Sequence, residues 1–596
     1  MEQFNYLWKW LTQQLFNTVE WSSWLLQPAG WIALMILVGI AAFLPARCFA
    51  KMVTVLFWFF ALGAFFATTY FWHRWGWWTG ALWLPALSYI LIEEDSVAKE
   101  AKRVCALGGF EWDRNDFCRG WLITGATGCG KTQSAINNLM HQVFRNEPNW
   151  GGVCIDEKGL YYAILVDMAK TYGREKDLML LQTKPVDAPD DWKPPAIFNI
   201  LSDNAIPSGT YATAICETSA TLAGGEGDKG FFKTQAHLQI QKGIDLLRVL
   251  GRPPTMSDLL EIIQTKDRLK ACLSELQPFI ADKNDPRYKA AFVVNDHFDG
   301  FLKQPADQLG GVISTVQNYL AYFTHPEVAQ IFSDPNQTFS LGEIDAGKIV
   351  CVAMPQKFSN ERRYVNTILK FLYYQHARNR FDQGKELKSG RKNMLVLWQD
   401  EAQRFITPDD GNVDVIREAS ATTVMASQAQ SSLIPPLGGK EKASVVLLNL
   451  RNRIIMQSAT RECAEMSADF IGKAMVWKKS YSTQGGGKGS TVSRSEEEQY
   501  VVKPHELLDP KFLPQFNAIV CHASKGWKKV VMPPVAPDGC LPPWYSGTVP
   551  GWFREWTPSN AAHHRKAAAK AAKVAKRKAE LDAKAAEKKA AAEAAK

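Results

Sequence analysis

Eight consecutive residues, Gly125-Ala126-Thr127-Gly128-Cys129-Gly130-Lys131-Thr132, read G-x-x-x-x-G-K-T. They follow a short apolar segment, Trp121-Leu-Ile-Thr124, and precede a helix-compatible one, Gln133–Phe144. That strand–loop–helix setting is what a phosphate-binding loop requires. Glycines let the backbone close around a phosphate, and successive N–H groups at a helix start form a nest for an anion. In such a loop Lys131 neutralises the β- and γ-phosphates of a nucleotide, and the Thr132 hydroxyl is a ligand for Mg2+. A second cluster, Gly485-Gly-Gly-Lys488-Gly489, has glycine where Ser or Thr should come after the lysine, and its surroundings read as a flexible polar loop. It is assigned no nucleotide chemistry.

Hydrolysis needs acids as well. Met394-Leu-Val-Leu-Trp-Gln-Asp400-Glu401 is an apolar strand ending in two carboxylates. Asp400 is the candidate for holding Mg2+ through its water shell, and Glu401 for polarising the attacking water. Thr422–Ala426 reads as a further buried strand, preceded by Arg417 and followed by Gln428. Gln428 is a candidate γ-phosphate sensor, and Arg417 a candidate arginine finger completing a neighbouring subunit's site. No LSGGQ-like signature is present, which counts against an ABC transporter.

Alternating strand and helix patterns position these groups. They run from Arg103 to about Asp203 and resume at Lys348-Ile-Val-Cys-Val-Ala-Met-Pro355, which predicts one doubly wound, mainly parallel sheet with an insertion. Within the gap, Thr234–Leu250 and Met256–Ile263 space their apolar residues as helices do, so an all-α domain is expected over 205–305. The nucleotide-binding domain is then expected in two parts, 104–204 and 306–555.

The ends of the chain differ from this middle. Eleven of the 21 tryptophans fall in the first 92 residues. Met52–Phe71 is twenty residues without a charge, enough to cross about 30 Å of hydrocarbon as a helix. Trp24–Leu44 and Trp75–Ile92 are nearly as apolar, and the tryptophans at 72–78 have the composition of an interfacial belt. Residues 1–103 are therefore expected to be a membrane anchor of two or three spans. Lys99, Lys102 and Arg103 place the remainder of the chain in the cytoplasm by the positive-inside rule. From residue 556 onward the chain is an Ala/Lys-rich tail, which from Ala561 carries seven of the nine net positive charges. A basic helix of this kind suits nucleic acid, an anionic membrane surface or an acidic partner. The eleven cysteines are scattered without a C-x-x-C pair, which excludes a zinc ribbon or a thioredoxin motif. With 46% hydrophobic and 22% charged residues over 596 positions, the chain is not disordered throughout and holds several domains.

The combination resembles the conjugative coupling ATPases of type IV secretion systems, the TraG/TraD type, over most of residues 1–545. Val153-Cys-Ile-Asp156-Glu-Lys158-Gly159 is similar to that family's strand ending in D-P-K-G, with Glu157 in place of proline. Phe198-Asn-Ile-Leu201 resembles its F-N-P-L, again without the proline. The spacing from Arg417 to Gln428, and Lys503-Pro504 followed by Leu513-Pro514 and Ala518-Ile-Val520, match in the same order. The resemblance implies a RecA-like motor with an inserted all-α domain behind a multi-pass anchor in the bacterial inner membrane, active as a homo-hexamer. It implies ATP contacts at Gly125 to Thr132, acidic roles at Asp400 and Glu401, a finger at Arg417 and a sensor at Gln428. The expected partners are single-stranded DNA carried by a relaxase and the components of the secretion channel. Three other functions compete: a coupling ATPase for protein effectors, an FtsK/HerA-like double-stranded DNA pump, and a receptor that binds nucleotide without hydrolysis. Glu401 counts against the last, because mere binding needs no water-activating carboxylate.

Overall fold

A computed structural model describes residues 103–222, 230–383, 393–483 and 490–556, without the side chains of 480–493. All belong to one compact unit that begins at Lys102. The expected membrane anchor, the Gly485–Gly489 cluster and the basic tail beyond Trp556 lie outside the described residues. Among the described residues no helix is long and apolar enough to cross a membrane.

Thirteen strands are described: β1 (Arg103–Leu107), β2 (Phe110–Asp113), β3 (Trp121–Thr124), β4 (Gly151–Asp156), β5 (Leu178–Gln182), β6 (Ile349–Ala353), β7 (Leu395–Asp400), β8 (Ala421–Ser427), β9 (Asn452–Ile455), β10 (Lys473–Thr483), β11 (Ser490–Tyr500), β12 (Asn517–His522) and β13 (Gly526–Val531). Nine form one sheet in the order β13-β12-β9-β3-β8-β7-β4-β6-β5. From β9 to β5 every neighbouring pair is parallel, and β12 and β13 close one side as antiparallel strands. The expected mainly parallel α/β sheet with a helical insertion is thus observed.

The parallel strands read as continuous apolar runs because both sheet faces are covered. Successive residues point to opposite faces, so Leu395 and Leu397 enter one core while Val396 and Trp398 enter the other. At β4 the chain passes unusually close to its neighbours. A Cβ on Gly151 would lie 2.0 Å from the Ile344 carbonyl oxygen, and one on Gly152 2.0 Å from that of Val396.

Seven α-helices, from Ser208–Leu222 to Pro326–Phe332, fill the interval between β5 and β6, so the helical run extends past residue 305. It has a core of its own around Leu246, Leu276, Phe298 and Val312. Asn199, fully buried in the Phe198–Leu201 segment, ties it to the sheet by donating from Nδ2 to the Pro254 carbonyl at 2.9 Å.

The reading of the Gly485 surroundings as a polar loop is corrected by β10 and β11. They pair antiparallel over eleven residues each, from Lys473↔Tyr500 to Thr483↔Ser490, as a ribbon separate from the main sheet. The side chains from Lys473 to Lys479 and from Arg494 to Glu498 are all exposed, so this ribbon has no burial pattern there to leave in the sequence. Its ladder is held instead by backbone pairing and cross-strand ions such as Lys478 with Glu497 at 3.1 Å.

A candidate nucleotide site at one edge of the sheet

Strand register gathers the candidate residues. Thr124 is level with Ser427, and Asp156 with Asp400, so β3, β8, β7 and β4 all end along one edge of the sheet. β8 lies between the strand feeding the glycine loop and the strand ending in acids. Loops leaving the carboxyl ends of parallel strands form the crevice where such folds bind ligands.

The loop from Gly125 to Gly130 leaves β3 and turns into a helical segment, Lys131–Ile136, wound in the wider π form before Asn137–Asn146 continues as α-helix. Gly130 has φ +101°, in the left-handed region, and directly precedes the helix. The Ala126 N–H donates to the Gln457 carbonyl at 2.7 Å, and Ser134 N–H is the first to reach back, to Gly130 at 2.8 Å. The N–H groups of Lys131, Thr132 and Gln133 head the helix, where no intrahelical acceptor exists for them. Lys131 is buried, with Nζ donating to the Gly125 and Ala126 carbonyls at 2.7 and 3.1 Å. Its ammonium therefore lies inside the loop.

Across 268 positions of sequence, Thr132 Oγ1 donates to Asp400 Oδ2 at 3.0 Å. Burial raises the Asp400 pKa to about 6, with the charges of Glu401 and Asp156 adding to the rise and the Thr132 hydrogen bond opposing it. Glu401 moves the other way. Its burial is outweighed by hydrogen bonds from Gln403 and Gln428 and by the charges of Lys158 and Lys131, so its pKa is lowered. The two adjacent carboxyls are thus driven apart, which suits distinct roles.

Glu401 sits at φ +55° and ψ +43°, a left-handed conformation that is costly for a non-glycine residue. The loop behind it is over-determined. Lys370 Nζ, fully buried, donates to Asp410 Oδ2 at 2.6 Å and to the Phe405 carbonyl at 2.5 Å. Tyr374 and Gln399 donate to the other Asp410 oxygen, and the Thr407 N–H to the first. Gln399 directly precedes Asp400, so this buried network fixes both acids from below.

The structure brings Gly125 to Thr132, Asp400, Glu401 and Gln428 together and leaves Arg417 apart. Arg417 opens a short turn before β8, and Arg380 Nη1 holds that turn through the Ala419 carbonyl at 2.9 Å. The start of β8 is level with Leu395 and its end with Thr124. Six register steps at ~3.3 Å put the start of β8, which the Arg417 turn precedes, about 20 Å from its end beside the loop. Lys158 is the residue that motif reasoning overlooked. Its Nζ lies 3.6 Å from Glu401 Oε1. The preceding Glu157, where the resembled family has proline, is held by Arg363 at 2.8 Å. An ion pair thus shapes the turn where a ring would.

The donor set fits a magnesium nucleotide. A hydroxyl and a carboxylate already in contact, with Asp156 and Glu401 raising the local negative charge, call for a hard cation. Among the described residues no group of three or more His, Cys, Asp and Glu side chains is placed to hold a metal. The ion would therefore share its coordination with phosphate oxygens, as Mg2+ usually does.

Residues 394–514, from the acidic strand through the β10–β11 ribbon, match the family model described as the TraM recognition site of TraD and TraG. The resemblance to the TraG/TraD family is borne out. Among solved structures, the plasmid coupling protein TrwB in complex with a non-hydrolysable ATP analogue is 16% identical, with 72% of this chain and 89% of that one covered at a TM-score of 0.50. Its likeness shows a shared fold. TrwB in complex with ADP and Mg2+ also aligns, at 16% identity, 72% and 88% coverage and a TM-score of 0.47. VirB4 of Thermoanaerobacter pseudethanolicus aligns at 12% identity, 73% and 96% coverage and 0.40. Comparison with curated proteins gave no match.

Proposed function

We propose that this chain is a coupling ATPase anchored in the bacterial inner membrane, which recruits relaxase-bound single-stranded DNA and drives its export through a type IV secretion channel. The observation that carries the reading is the Thr132–Asp400 hydrogen bond, which joins the phosphate loop to the acidic strand at one point. The loop N–H groups and Lys131 bind the triphosphate of ATP. Thr132 and Asp400 would hold Mg2+, which when bound would supply neutralisation of the developing phosphate charge. Glu401, kept ionised by its amide partners, orients the attacking water and takes its proton, while Gln428 senses the γ-phosphate beside it. The remote position of Arg417 supports action in trans within a homo-hexameric ring.

The coupling role draws on the matched TraG/TraD segment. Its strands β7, β8 and β9 are buried, whereas on the ribbon Met475 and Trp477 are exposed, supporting a channel or relaxosome protein as the partner docking there. Lys131→Ala tests the motor. ATP hydrolysis and DNA transfer should both be lost while membrane insertion is retained, and normal transfer by that variant would refute the proposal.

A further inference from the structure

Phe516 is bound to the phosphate loop although 386 positions separate it from Gly130. It adopts φ +63°, a strained backbone for an aromatic residue. Four hydrogen bonds keep it there. Phe516 N–H donates to the Cys129 carbonyl at 3.3 Å, Met532 N–H to the Phe516 carbonyl at 2.8 Å, Asn517 N–H to Pro514 at 3.0 Å, and the neighbouring Gln515 Nε2 to Gly128 at 2.9 Å. Its ring lies so near Gly130 that a Cβ there would be 2.6 Å away. Two further aromatics meet this ring. Trp544 packs at 5.8 Å and 38°, and Tyr545 at 5.7 Å and 83°. The segment carrying them is anchored to the loop's helix, since Val535 N–H donates to the Gln133 carbonyl at 2.8 Å. Trp544 nevertheless remains 56% exposed.

An indole left in solvent beside an anion-binding loop exposes apolar area that folding has not covered. Strain at Phe516 places that area next to the site rather than elsewhere. The geometry points to a base-stacking shelf made by Phe516, Trp544 and Tyr545, with the Trp544 indole as the face that receives the purine of the nucleotide whose phosphates Lys131 binds. Phe516 supports the indole from beneath, and Tyr545 buttresses its edge. The inference rests on the reading of Gly125 to Thr132 as a triphosphate site and adds the determinant for the other end of the ligand. Stacking on aromatic faces tolerates different bases, so the shelf selects a purine over no base more strongly than one purine over another.

Calorimetric titration of the full-length chain in detergent, with Mg-ATP and separately with Mg-tripolyphosphate, isolates the base. Trp544→Ala should weaken ATP binding by roughly 5- to 150-fold, the value of one stacked base, and leave tripolyphosphate affinity unchanged. Trp544→Phe, which keeps an aromatic face, should bind ATP close to wild type. Undiminished ATP affinity in Trp544→Ala, or an equal loss for both ligands, would overturn the shelf. If the wild-type chain binds neither ligand, the phosphate-site reading fails and the shelf with it.

Discussion

Replacing Asp400 with Asn separates what that carboxylate does for the fold from what it does for a metal. Raising its pKa from 3.8 to about 6 makes ionising Asp400 in the folded chain cost about 3 kcal/mol at neutral pH, at ~1.36 kcal/mol per pKa unit. Linkage sets the sign. Below pH 3.8 Asp400 is protonated both folded and unfolded, and no penalty exists. As pH rises the unfolded chain releases its proton first, so the penalty grows up to about pH 6 and is constant above it. An asparagine is never charged, and its amide oxygen still accepts from Thr132. Asp400→Asn should therefore be more stable than wild type by up to about 3 kcal/mol at pH 7.5, with the advantage vanishing towards pH 4. Thermal unfolding across that pH range is the assay. Mg-ATP at a hundred times its Kd should stabilise the wild type by about 2.7 kcal/mol and the variant far less. An Asp400→Asn protein less stable than wild type at pH 7.5, or equally stabilised by Mg-ATP, would refute the idea that Asp400 is held in tension for a cation.

Two other perturbations probe the same neighbourhood. Lys370→Met removes the cation paired with the fully buried Asp410 and should cost about 3–5 kcal/mol, read as a lower urea midpoint, because a buried charge is left unpaired. Gln428→Ala deletes a hydrogen bond that lowers the Glu401 pKa, so the acidic limb of the ATPase pH profile should move to higher pH. An unmoved limb would mean that Glu401 is not the group whose ionisation the rate requires.

The phosphate loop and the acidic strand were legible because their chemistry is local. Glycine spacing encodes the turn, and an uninterrupted apolar run such as Leu395–Trp398 encodes a strand covered on both faces. Contacts between remote segments were not. Nothing near Lys158 announces Glu401 as its partner, and nothing near Phe516 announces Gly130. Gln428 was within reach only because it ends the neighbouring strand. The β10–β11 ribbon escaped for a different reason: its side chains at 473–479 and 494–498 meet water on both sides, so the alternation that betrays a half-buried strand is absent there. Glu157 shows the converse. A departure from the resembled motif, read alone as a local irregularity, is explained once Arg363 is seen against it.

The close approach at β4 sets a limit on how this molecule can diverge. Where carbonyl oxygens from Ile344 and Val396 occupy the places of absent side chains, even a methyl group would have to push β4 off the turn at Ile344 or away from β7, and so shift Asp156 relative to Asp400. Two hydrogens at positions 151 and 152 therefore hold the spacing of carboxylates several residues away. The gap between those carboxylates is dimensioned by the smallest side chains in the sheet.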